Sequence, residues 1–149
     1  MSMSNTAETA LLTLLFENTA WANVGDAAGL LPSAADGSFH ISLHTGDPGE
    51  AGDQTTSECT YTGYARVAVT RDAAGFTVAG NTVSNAAAVT FGACTVGAET
   101  ASHFSVGRDA AGAGMIIVSG AISNPVGGLA ISPGITPAFA IGAMTATAD

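Results

Sequence analysis

From Phe39 onward the chain alternates. "FHISLHT" sets Phe39, Ile41 and Leu43 on one side and His40, Ser42 and His44 on the other, and a period of two marks a half-buried strand. "YARVAVT" repeats the pattern through Ala65, Val67 and Val69. Further strands are expected at "GFTVAG", "NTVSN", "AAVTFGA", "ASHFSVGRDA", "GMIIVSGAI", "GLAISPG" and "PAFAIGAMTATA". Short strands broken at close intervals by Gly, Asn, Asp and Pro predict a mainly β protein, an antiparallel sandwich or jelly-roll-like barrel of seven to nine strands.

Before this region the period changes. "NTAETALLTLLFENTAWANVG" predicts the one helix, with Ala7, Leu11, Leu14, Leu15 and Asn18 on one side and Leu12 and Phe16 widening the stripe. Asn5 and Glu8 have capping-box spacing, and Gly25 is a stop signal. The expected organisation is an N-terminal arm and helix over residues 1–25 and a β domain over 38–149, together one globular domain. Leu11, Leu12, Leu15, Phe16 and Trp21 either pack on that domain or form a candidate interface with another subunit or a capsid.

"DAAG" recurs at Asp26, Asp72 and Asp109. Asp followed by small residues and Gly suits tight loops. The flanking sequence does not recur at one period, so this is reused turn chemistry, not a repeat architecture.

Charge narrows the function. The 149 residues include three arginines, no lysine and twelve acids, for a net charge of -9. Nucleic-acid binding draws on clustered cations, so no nucleic-acid partner is expected, and anionic membranes are disfavoured for the same reason. The longest apolar runs, "LLTLLF" and "MIIV", fall short of the roughly 18 residues of a membrane span. "MSMSNTAE" lacks the positive start of a secretory signal. Cys59 and Cys94 have no CxxC spacing. Buried, reduced thiols are the expectation, with a disulfide between them left open.

Candidate chemistry is sparse. On a strand, His40 and His44 stand roughly 13 Å apart, too far to share a metal. Asp47, Glu50 and Asp53 lack the order of a calcium loop. This stretch is therefore expected to be a strand end and a solvated loop, with no metal and no cofactor. No GxSxG elbow and no phosphate-binding glycine motif is present, and His103 lies in an expected strand. The nine aromatics are mostly committed to strands and helix, which leaves little for the platforms of a sugar-cleaving cleft. Tyr61 and Tyr64 are a ligand-stacking platform or, more ordinarily, packing beside Arg66.

Several segments in order, "ISLHTGDPGEAGDQTTSECTYTGYARVAV", "VSNAAAVTFGACT", "ASHFSVGRDAAGAGMIIVSGAIS" and "ISPGITPAFAIGAMTATA", resemble a family of small tailed-phage virion proteins often labelled tail fibre proteins. The resemblance runs from about Ile41 to the C-terminus. It implies a non-enzymatic virion protein assembled in the host cytoplasm. A fibre shaft needs heptads or β-helical periodicity, which the chain lacks. The expected role is therefore a capsid decoration (cement) protein on the outer capsid surface. It would bind the major capsid protein and form a homo-oligomer, a trimer being favoured at a symmetry axis, with Met1–Trp21 as the contact segment. The alternative is a tail or tail-fibre component that binds a receptor, for which a pocket lined by Tyr61, Tyr64 or His44 would speak.

Overall fold

The computed structural model describes residues 2–148. It is mainly β, with antiparallel sheets and one helix near the N-terminus, the class the alternation implies. Among the described residues the strands number eleven instead of seven to nine, because two expected strands each divide. "ASHFSVG" breaks at Ser102, whose N–H turns to the His44 carbonyl and whose carbonyl accepts from Ile122. "PAFAIGAMTATA" breaks around Gly142, where φ is 71°.

The chain forms two compact units, one from Met1–Ser38, Val69–Ala88 and Ala140–Asp149, the other from Phe39–Ala68 and Val89–Phe139. In the first, helix α1 (Asn5–Phe16) packs on strands β3 (Phe76–Ala79) and β4 (Thr82–Asn85), and β4 also pairs with β11 (Thr145–Thr147). The β3–β4 turn is the two-residue Gly80-Asn81, with Gly80 at φ 62°, the left-handed geometry tight hairpins require. Leu12 and Phe16 are buried, and the Phe16 ring meets Phe76 edge to face at 5.1 Å. Burying each such side chain contributes roughly 1.5–3 kcal/mol. Leu11, Leu15 and Trp21 are half-buried.

The helix differs from expectation at both ends. Its cap is Ser4, not Asn5: Ser4 is extended and its hydroxyl accepts the Ala7 N–H, while Asn5 is already helical and Glu8 is buried. It stops at Phe16, well before Gly25, because Asn18 takes a left-handed φ of 50°, the turn-back that Asn tolerates. Asn18 also holds the following loop, donating to the Ser33 carbonyl and Asp36 and accepting the Ser33 N–H.

Arg71 closes that helix end. Its Nε donates to the Leu15 carbonyl at 2.8 Å and Nη2 to the Leu14 carbonyl and Asn18 Oδ1, while Nη1 reaches Ser33 and the Asp36 carbonyl. A cation on the last carbonyls of a helix also complements its dipole. Asn85, buried at the end of β4, plays a similar part: Nδ2 donates to the Ala87 and Ala140 carbonyls and Oδ1 accepts the Met144 N–H.

The repeated "DAAG" is turn chemistry at two of its three sites. Asp26 Oδ1 accepts from Ala28 and Gly29, and Asp72 Oδ1 accepts from Ala74 and Gly75. At Asp109 the carboxylate pairs with Arg108 instead.

In the second unit, β1 (Ser38–His44) from Phe39 onward lies between β7 (His103–Gly107) and Val67–Ala68 of β2 (Val67–Thr70). β8 (Ile116–Ala121) forms the far edge. Two short pairs complete the unit: β6 (Glu99–Ala101) with β9 (Leu129–Ile131), and β5 (Val89–Thr90) with β10 (Ala138–Phe139). The rings of Tyr61, Tyr64, Phe91, Phe139 and Phe104 contact one another in series at centroid distances of 5.4 to 6.2 Å.

Replacing Arg71 by Met keeps much of its stem but strips five hydrogen bonds, two of them on the helix end. The expected loss is about 2–3 kcal/mol, read as a lower urea midpoint with an unchanged m-value.

Candidate functional site

Strand β1 is where the sequence expectation and the structure part. Ile41 and Leu43 are fully buried on one face, as the alternation implies, but Ser42 and His44 on the other are also inaccessible to solvent. The segment after the acidic loop, Asp53–Cys59, folds over that second face. The acidic loop itself is open, with Asp47 and Glu50 exposed, whereas Gln54 immediately after it is at 0% exposure.

Gln54 anchors the cover. Its Nε2 donates to Ser42 Oγ at 3.1 Å and the His40 carbonyl at 3.2 Å, and its Oε1 accepts the Asp109 N–H at 2.9 Å. Its own N–H binds the Gly114 carbonyl. The side chain fits only because Gly107 and Gly114 carry no Cβ; one added at either position would collide with it.

Arg66 and Glu58 hold the neighbouring loop. Arg66 Nε and Nη2 grip the two Glu58 oxygens at 2.7 and 2.8 Å, and Nη1 and Nη2 also donate to the Asp109 and Gly112 carbonyls. Such bidentate pairs are short and directional, and the Arg66 side chain is only 3% exposed. The Tyr64 hydroxyl donates to Glu58 and accepts the Leu43 N–H. Burial pushes its pKa up, as does its bond to Glu58. Tyr64 is thus a brace with its ring stacked on Phe91, and Tyr61 is buried. Tyr61 and His44, the other two residues named for a receptor pocket beside Tyr64, are buried and bonded within this unit, Tyr61 to the Gly92 carbonyl and His44 to Thr56 and Ser105.

His44 sits 2.8 Å from both the Thr56 carbonyl and Ser105 Oγ. The carbonyl only accepts, so Nδ1 carries the proton and Nε2 accepts the serine hydroxyl. A serine bonded to an imidazole is the first half of a hydrolytic triad. Here the orienting group is a carbonyl, and both side chains are closed to solvent. The pair is a structural bond. Burial lowers the His44 pKa, partly offset by the Thr56 bond.

Cys59 and Cys94 are free and buried. Burial, reinforced by Glu99, pushes the Cys59 thiol up to about 12, far from the thiolate that reactivity needs. Among the described residues no group of three or more His, Cys, Asp or Glu is placed to hold a metal, and no helix is long and apolar enough to cross a membrane.

An open groove of about 780 Å³ in this unit is lined by β8, by the loop carrying Asp47 and Glu50, and by His103 of β7. Among the described residues β8 pairs only with β7. A bulge between Val106 and Gly107 leaves Ile117 as the extra residue. Of the N-terminal interface candidates, Leu12 and Phe16 serve the core of their own unit, while Leu11, Leu15 and Trp21 keep partial exposure. Trp21 pairs with Leu30 in a short bridge, near exposed Leu31.

The sheets of this β-rich protein are braced by internal polar bonds, with the Ser105–His44 pair and both thiols shut away from solvent. Among known families, the one described as podophage GP4 fiber I protein gp80 matches residues 2–147, and the chain belongs to it. That family is one of phage fibre or virion structural proteins. No curated protein matches the chain.

Two outcomes test the polar interior. Gln54→Ala strands the Asp109 N–H and opens a void, at an expected cost of about 2–3 kcal/mol in urea unfolding. His44, whose folded pKa lies below its unfolded value of 6.5, contributes stability that is complete above that value and is lost as pH falls through it. The melting temperature should therefore drop between pH 7 and 5, and His44→Asn, though less stable at pH 7, should flatten that slope.

Proposed function

We propose that the protein is a non-enzymatic structural module of the phage fibre apparatus, a compact piece seated in a larger assembly and not a length of shaft. The family match over residues 2–147 carries this reading. The chain's lack of heptads or shaft repeats supports the second half of it. The polar side chains with chemical potential are engaged in holding loops: His44 with Ser105, Gln54 with the Asp109 segment, Arg66 with Glu58.

Contacts to the rest of the virion fall, on this reading, to the N-terminal unit. Leu11, Leu15 and Trp21 are partly open there, and Leu30 and Leu31 are 44% and 69% exposed. Apolar side chains of this size left in water mark association surfaces when they are contiguous. Association with further copies, a trimer by preference, is part of the proposal.

The second reading is a decoration protein that clamps the major capsid protein from outside. Compactness and the acidic, lysine-free composition favour it. Immunogold electron microscopy of intact virions separates the two. Gold on fibres or their attachment points is the expected result; gold spread over the head would overturn the fibre assignment in favour of decoration.

A further inference from the structure

The groove along β8 has the attributes of a strand-docking site. β8 is an edge: among the described residues it pairs with β7 alone, and no strand lies along its outward-facing N–H and C=O groups. An unpaired edge is a template for another extended chain. Native proteins commonly blunt such edges with lysines, prolines, bulges or covering loops; here the one bulge, at Ile117, sits at the start of the strand and leaves Val118–Ala121 in regular register. β8, "IIVSGA", has no charge and no proline, and the acidic loop stands off to leave about 780 Å³ beside it. Six residues of strand present roughly 20 Å of edge, enough for a short peptide segment.

The walls select the occupant. Asp47 and Glu50, both exposed, line the groove together with the half-buried Ile116, Ile117 and Val118. A second copy of this chain fits poorly. It carries a net charge of -9 and no lysine, and antiparallel pairing of two β8 edges would also bring two acidic loops into one site. Like charges so placed disfavour association.

We infer that β8 accepts an extended segment of a different protein, which adds a fifth strand to the sheet and directs lysine or arginine side chains at Asp47 and Glu50. Main-chain bonds supply the affinity and the acidic wall the selectivity, the usual division in strand addition. The inference rests on the groove alone, so it stands whether the chain proves to lie on fibre or head.

The probe is an end-blocked seven-residue peptide of alternating Thr and Val flanked by lysines, titrated against the full chain and followed by amide NMR shifts. Saturable shifts at Ile116–Ala121 are expected. Binding should weaken at least tenfold when the lysines become glutamates, and again when alternate peptide nitrogens are methylated. The exposed pair Asp47→Asn with Glu50→Gln should weaken it roughly 3- to 10-fold, the range of one or two surface ion pairs, without altering the melting temperature. Unmoved β8 amides, or equal binding by the methylated peptide, would overturn strand addition. Concentration-dependent self-association that protects the same amides would overturn the choice of partner and point to a second copy.

Discussion

Gln54 is an uncharged polar side chain placed where water cannot reach, and much of the second unit is arranged so that it can stay there. Left unpaired, a buried amide costs on the order of 1–3 kcal/mol. Three partners on two different segments remove that cost: Ser42 and the His40 carbonyl on β1, and the Asp109 N–H in the loop after β7. The requirement extends to the backbone. Gly107 and Gly114 must lack side chains for the amide to fit, which gives a steric reason for glycine at both positions. One side chain thereby fixes the cover segment, the central strand and a hairpin loop relative to one another.

The same device recurs with other residues. Asn85 ties β4 to the segment before β11, and Arg71 ties the end of α1 to the loop after it. In a chain with 10% charged residues, ion-pair networks are not available in number. Polar side chains bonded to main-chain groups do the stapling instead. No buried side-chain nitrogen or oxygen among the described residues lacks a partner, so the scheme is complete where it is used.

This explains what could be read from the sequence and what could not. The strands were legible because period-two alternation in "FHISLHT" and its relatives depends only on local geometry. The helix was legible for the same reason, and its true end had a visible signal in Asn18. The burial of His44 and Ser42 had none. A polar residue on the second face of a strand reads as solvated unless the covering segment is known, and Asp53–Cys59 shows no periodicity that would announce it. Tyr64 was weighed as packing beside Arg66; its partner Glu58, eight residues upstream of Arg66, was not singled out. The family resemblance, seen from Ile41 onward, proves to extend through the N-terminal helix as well.

The arginines have one more consequence. Arg66 is 3% exposed and turned onto Glu58 and two loop carbonyls, and Arg71 is wrapped against the end of a helix. Arg108 alone stands well out, with 64% of its side chain accessible. A trypsin-like protease needs a lysine or arginine it can draw into a deep pocket. The folded chain offers it a single convenient bond, after Arg108. A particle component built this way is poorly digestible by that class of enzyme while folded, with no inhibitor or glycan needed.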